Sequence, residues 1–206
     1  MSTKPILFNT EMVKAILDGR KTVTRRVIQP HYKDGEAGFR INRRTADGVI
    51  TGIEYYDEEE CGTGRYIQPP YQIGDILYVR ETWKRIPGAS SKGGFAYKYK
   101  ASEEGRYWDK VSGFKWKPSI HMPKEAARIW LKVTNVRVER LQDITPKQAG
   151  EEGVTWETDN SGIYRIMKFK KLWDSTIKKQ DLDKYGWNVN PYVWVIEFER
   201  IEKGDI

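Results

Sequence analysis

Gly19-Arg20-Lys21-Thr22-Val23-Thr24-Arg25-Arg26 decides how the first part of this chain is read. Four cations and two hydroxyls fall within eight residues. A strand buried on both faces would not carry them, because unpaired cations are almost never fully buried. Gly19 stands where the helical pattern before it stops, so the run starts at a sharp turn, a place for a phosphate-binding or catalytic group. Upstream, Lys4 to Phe8 is a short apolar strand. Asn9 and Thr10 are both good caps for the helix that follows, in which Met12, Val13, Ile16 and Leu17 share one face. Downstream, Lys21 to Ile28 is rich in β-branched residues and reads as a strand that Pro30 ends.

Residues 31–70 differ in composition and read as a surface insertion. The turn signal Asp47-Gly48 predicts a polar hairpin over Phe39 to Tyr56, and the acidic run Asp57 to Glu60 reads as a solvated loop. Gly74-Asp75 is a turn feeding a strand from Ile76 to Trp83. A second polar stretch runs from about Ser90 to Lys117 and contains the alternating Phe95-Ala96-Tyr97-Lys98-Tyr99-Lys100. Ala127 to Leu141 alternates as a long or bent strand. Thr145-Pro146-Lys147-Gln148 combines a cap, a proline at the first helical position and a capping box, and Gly153 stops that helix. Ile163 to Ile177 is a longer helix, and Tyr192 to Ile201 a closing apolar strand. The expected fold is α+β: one domain over residues 1–206, a small mixed β-barrel with three short helices and hairpin-like insertions at about 31–70 and 90–120.

Composition narrows the function classes. The chain has 206 residues, 38% hydrophobic and 13% aromatic, with a formal net charge of +7. That supports a packed fold and favours polyanionic partners, nucleic acid first. Cys61 is the one cysteine and His31 and His121 the two histidines, so an internal disulfide and a cysteine metal cluster are excluded and a zinc site lacks its usual ligands. No metal and no cofactor is expected. No apolar run approaches about 18 residues and no leader pattern is present, so the expectation is a cytoplasmic protein without a membrane partner.

The order Gly19-Arg20-Lys21-Thr22, Gly74-Asp75-Ile76-Leu77, the Asp143-Ile144-Thr145 helix and the terminal Val193-Trp194-Val195-Ile196-Glu197-Phe198 strand resembles the ASCH domain of the PUA-like superfamily. Ser119-Ile120-His121-Met122-Pro123 and the stretch from Trp187 to Trp194 are similar to the longer ASCH proteins of phages and prophages. The resemblance implies a small β-barrel that handles RNA or a modified nucleoside and, in a phage setting, a host protein as a further partner. Within that family the bacterial N4-acetylcytidine amidohydrolases carry a matching Gly-Arg-Lys-Thr-x-Thr run and a glutamate on the later short helix. The matching positions here are Lys21, Thr24 and Glu152, with Glu151 the alternative if the alignment slips by one. The long insertions depart from that compact pattern.

Cleaving an amide requires a nucleophile, a proton acceptor, an acid for the leaving nitrogen and donors for the oxyanion. Thr24 can be the nucleophile if a base takes its proton. Lys21 serves as that base only if burial or the nearby Arg20, Arg25 and Arg26 depress its pKa from roughly 10.4. Glu152 then carries the proton to nitrogen. Alternatively Lys21 stays charged over the oxyanion and Glu152 activates water. Lys21 and Thr24 are three apart and point to opposite faces of a regular strand, so they share a site only if Lys21 belongs to the turn after Gly19 or a bulge intervenes. Arg26, Arg20, Arg25, Trp83 and His121 are the candidate substrate contacts. Arg25, Arg26, Arg43, Arg44 and Arg65 are candidates for a phosphate-binding surface, with Tyr32, Tyr55, Tyr66, Trp83, Tyr97 and Trp108 as stacking platforms. A non-catalytic RNA-binding module and a metal-dependent ribonuclease are the rival readings.

Overall fold

The computed structural model describes residues 2–28, 33, 35–43, 48–88, 94–155 and 162–205. Pro30, His31, Tyr32, Arg44, Asp47 and Ser90, singled out above, lie outside the described residues. Along the chain come β1 (Thr3–Leu7), α1 (Thr10–Leu17), β2 (Val23–Val27), β3 (Gly38–Arg43), β4 (Ile50–Tyr56), β5 (Gly62–Ile67), β6 (Ile76–Arg80), β7 (Trp83–Pro87) and β8 (Phe95–Tyr99). Then follow α2 (Gly105–Trp108), β9 (Trp130–Arg140), α3 (Pro146–Glu151), α4 (Gly162–Thr176), α5 (Leu182–Tyr185) and β10 (Tyr192–Ile201). The class is mixed α+β, mostly strands with short helices. Among the described residues the expected three helices become five, because α2 and α5 are single turns whose four residues carry no readable period. No pairing among the described residues closes the strands into a barrel. No helix among them is long and apolar enough to cross a membrane.

Two compact units divide the chain: Met1–Lys21, Asp75–Lys132 and Glu199–Ile206 form the first, Thr22–Gly74 and Val133–Phe198 the second. In the first, β1 pairs parallel with β6 from Thr3↔Ile76 to Leu7↔Arg80, and β6 pairs antiparallel with the start of β9. Asn9 caps α1 by accepting a hydrogen bond from the Met12 N–H at 2.9 Å, and Val13, Ala15 and Ile16 are its buried residues. Gly19 ends the helix at φ +72°. The N–H groups of both Arg20 and Lys21 then donate to the Ala15 carbonyl, at 2.8 and 3.0 Å. Lys21 therefore belongs to the turn and not to the strand expected from residue 21, since β2 begins at Val23.

The strand expected over Ile76 to Trp83 is two strands. It breaks at Glu81-Thr82, where Glu81 is buried against Arg128. β7 then pairs with β8 from Trp83↔Tyr99 to Pro87↔Phe95. Ile76, Trp83, Met122, Ala126, Ala127 and Trp130 pack as one cluster of this unit.

In the second unit β10 pairs antiparallel with β2, setting Val195 opposite Arg25 and Ile196 opposite Thr24. Val23, Val193 and Val195 join Leu141, Ile144, Ala149, Phe169 and Trp173 in its core. The expected hairpin over Phe39 to Tyr56 is present as β3 and β4, with Phe39 opposite Tyr55 and Ile41 opposite Ile53, and β5 adds a third strand. Ile50, Ile53 and Tyr55 are buried, and Phe39 packs edge-on against Tyr192 at 4.6 Å, so the hairpin is anchored, while the acidic run Asp57 to Glu60 is a mostly exposed turn as expected. Arg65, expected on a phosphate-binding surface, pairs with Glu36 and lies over the Tyr55 ring at 3.4 Å.

Candidate functional site

The site in the second unit starts from β2. Side chains alternate along a strand, so Val23, Arg25 and Val27 share one face, and Val23 and Val27 pack in the cluster under α3 and α4. Arg25 enters that apolar face with a side chain that is 0% exposed. A bare cation cannot remain there, and it does not. Its Nη1 donates to Glu152 Oε1 and its Nη2 to Glu139 Oε2, both at 3.2 Å. The guanidinium lies 5.9 Å from the Phe169 ring centre, and its Nε is buried without a hydrogen-bond acceptor among the described residues. Arg137, two residues before Glu139, donates to both Glu139 and Glu197. The result is a chain of alternating charge, Glu152–Arg25–Glu139–Arg137–Glu197. Burial works against the charge on Arg137, but hydrogen bonds and attraction from Glu139 and Glu197 outweigh it and hold its pKa above the ordinary value.

Local chemistry fixes the place of Glu152. Thr145 and Gln148 complete the capping box of α3, Pro146 opens the helix and Gly153, at φ +92°, turns the chain away. Glu152 is the residue that closes the helix, where a negative charge opposes the helix dipole. Arg25 offsets that cost. The one-residue ambiguity of the sequence alignment becomes a clear contrast in surroundings. Glu152 is 4% exposed. The Glu151 side chain is a third exposed and faces Lys147 at 3.7 Å, while its carbonyl accepts from the Thr22 N–H at 2.9 Å.

Beside this chain of charges is a cleft of 670 Å³ lined by Thr22, Thr134, Asn135, Arg137, Thr145, Lys147, Gln148, Glu151 and Glu197, with Val23 and Phe198. Two cations and two carboxylates balance there, and hydroxyls and amides fill the rest. Such a lining hydrogen-bonds a polar, nearly neutral ring better than it holds a polyphosphate.

The other sequence candidates are dispersed. Thr24 is buried on β2, on the face opposite Arg25, as is the half-buried Arg26, whose charge partly offsets the rise that burial imposes on Tyr71. Arg25 binds protein carboxylates, not an open surface. Lys21, Arg20, Trp83 and His121 all belong to the first unit. Lys21 is 3% exposed with its ammonium 5.4 Å from the Phe8 ring centre. Arg20 is exposed and paired with Asp18 at 2.8 Å. Trp83 is a core residue tilted against Tyr97 at 5.7 Å, not an open platform. His121 is exposed on a short turn, Ser119–His121.

Three groups escape a reading of the sequence. Glu139 and Arg137 look like ordinary alternating residues of β9, and Glu81 looks like the polar phase of a strand. Yet Glu81 is 1% exposed and accepts two hydrogen bonds from Arg128, at 2.9 and 3.0 Å. Burial pushes its carboxyl pKa up, and Arg128 only partly reverses that. Compared with family models, with curated proteins and with solved structures, the chain matches none.

Proposed function

We propose that this chain is a cytoplasmic ASCH-type protein of the PUA-like superfamily that binds a nucleoside or an RNA segment and hydrolyses an N-acyl amide on a modified base, as in N4-acetylcytidine. One observation carries the reading. The buried polar or charged residues among those described are Lys21, Thr24, Arg25, Asp75, Glu81 and Glu152. All three positions that the ASCH resemblance assigns to hydrolysis are in that short set. Keeping a lysine and a glutamate out of water costs free energy, which makes such buried groups candidates for a functional role. The polar, charge-balanced cleft of the second unit is of a kind that suits a base or ribose. The resemblance gives Thr24 the role of nucleophile, Glu152 that of carrying a proton or activating water, and Lys21 that of base or of charged partner of the oxyanion.

The test is release of cytidine and acetate from N4-acetylcytidine by the full chain. Lys21→Ala and Glu152→Gln should each lower turnover by roughly 100-fold or more, the scale of a lost acid–base group. No cytidine from the parent protein removes this substrate, and full activity in Lys21→Ala removes the residue set.

A specific observation supports a second reading, a non-catalytic RNA-binding module. Glu152 is held by Arg25, and Thr24 faces the other side of β2. RNA binding that survives Glu152→Gln, with no hydrolysis by the parent, selects it. For the ribonuclease reading, no group of three His, Cys, Asp or Glu placed to hold a metal occurs among the described residues. RNA cleavage abolished by EDTA would favour that reading instead.

A further inference from the structure

Outside the proposed hydrolytic set, the segment from Phe95 to Lys117 of the first unit holds seven aromatic residues and six cations against three carboxylates. Beyond β8 the chain folds back tightly. Ser102 Oγ donates to the Tyr99 carbonyl at 2.7 Å, and Gly105 begins α2 so close to β8 that a Cβ there would lie 2.2 Å from the Lys100 carbonyl oxygen. Only glycine permits this approach, and it fixes the rings that follow.

Those rings form a continuous series. Tyr107 meets Trp108 edge-on at 5.3 Å, Trp108 stacks on Phe114 at 4.8 Å with 30° between planes, and Phe114 meets Trp116 edge-on at 5.0 Å. Aromatic series of this kind normally build a core. This one is open to solvent: Tyr107 is 65% exposed and Phe95, on the neighbouring β8, is 62% exposed. Trp108, Phe114 and Trp116 are half-buried.

Cations surround the rings. The Lys98 ammonium lies 5.8 Å from Trp108, the Lys84 ammonium 5.7 Å from Phe114, and the Arg85 guanidinium 3.8 Å from Phe95. Arg106, Lys110 and Lys115 are exposed beside them in sequence. Two of the three carboxylates are already engaged. Glu104 accepts from Lys98 at 2.5 Å, and Asp109 accepts from the Trp116 indole at 2.7 Å with Lys100 at 3.5 Å. The charge left to face a ligand is positive.

Exposed rings interleaved with uncommitted positive charge are the chemistry that holds a single-stranded polynucleotide. Each base offers a π-face to a ring, and each phosphate a negative charge to a cation. A carbohydrate would use the rings but leave the cations idle, and an acidic peptide would use the cations but leave the ring faces idle. We propose that this face binds single-stranded RNA, with Tyr107 and Phe95 stacking bases and Arg106, Lys110 and Lys115 holding phosphates. The choice of RNA rests on the proposed modified-base substrate, and it makes that substrate part of a strand.

The probe is fluorescein-labelled dodecauridylate, titrated by anisotropy with the full chain at several salt concentrations. It carries no acyl group, so binding is read whether or not the protein hydrolyses N4-acetylcytidine. Tyr107→Ala should weaken binding roughly five-fold or more, the lower end for loss of one stacked base, while Tyr107→Trp retains it. Lys115→Gln should reduce the salt slope by about 0.7, one single-strand phosphate contact. An unchanged melting temperature in Tyr107→Ala shows that the ring acts on the ligand and not on the fold. Parent-like binding by Tyr107→Ala overturns the proposal. Tighter binding of dodecathymidylate overturns the choice of RNA, and equal competition by polyglutamate shows an acidic-peptide surface instead.

Discussion

Arg25 in the second unit and Glu81 in the first are both charges taken out of water beside an opposite charge, yet the arrangements are inverted. In the second unit the cation is the fully buried member and faces two carboxylates, Glu152 and Glu139, whose side chains are 5% and 21% exposed. In the first the anion is the fully buried member, and its partner among the described residues, Arg128, keeps 28% of its side chain in solvent. The difference decides what each tolerates. A partner that reaches water can recover its hydration when the pair is broken. Glu152 cannot, because removing the guanidinium leaves its buried carboxylate without that counter-charge, while the more exposed Glu139 keeps Arg137.

The largest expected effect is therefore at Arg25. Arg25→Met keeps much of the volume and should cost about 3–5 kcal/mol in urea unfolding, the range for breaking a buried pair by deleting one member. Adding Glu152→Gln to it should restore part of the loss. A single variant as stable as the parent would show that Arg25 does not hold the carboxylates.

A smaller effect, distinguished by its pH dependence, belongs to Glu81. Burial raises its folded pKa above the ordinary value of 4.5. The folded protein then holds the proton more tightly than the unfolded chain does. Glu81 contributes most to stability below the unfolded value, and that contribution is lost as pH rises through the folded value. Comparing thermal unfolding of parent and Glu81→Gln from pH 4.5 upward, the difference should move in favour of the variant by up to about 1.4 kcal/mol per unit of pKa difference. A difference that is flat with pH, or that moves the other way, contradicts the inverted arrangement.

The smallest effect is at Glu151. Its pair with Lys147 is mostly solvated, so Glu151→Gln should change stability by no more than a few tenths of a kcal/mol. Because Glu151 also lines the cleft, Glu151→Gln should lower N4-acetylcytidine turnover, but by far less than the roughly 100-fold of Glu152→Gln. If the two glutamates exchange these behaviours, the alignment that selects Glu152 is off by one residue.

Much of the fold was legible because its signals are local. The Thr145/Gln148 capping box, the Gly19 and Gly153 stops, the Phe39–Tyr56 hairpin and the long strands at Trp130 and Tyr192 all lie in short windows of sequence. The break at Glu81 was not legible, since a glutamate in the polar phase of Ile76 to Trp83 looks solvent-facing until Arg128, 47 residues away, is placed beside it. Nor was β5, whose residues Gly62 to Ile67 carry little apolar alternation and gain strand form from pairing with β4. For the site, residue type and resemblance selected Lys21, Thr24 and Glu152, but their burial was invisible in a chain where nearly a third of residues are charged.

What the linear chain settled alone is where α1 and α3 begin and stop and that the stretches at Trp130 and Tyr192 extend, because caps, positive-φ glycines and two-residue alternation act between near neighbours. Only the folded molecule decided which charges meet. Arg25 reaches Glu152 across 127 positions and Glu139 across 114. Coulombic attraction and desolvation depend on distance through space, and no local pattern in a sequence encodes that distance.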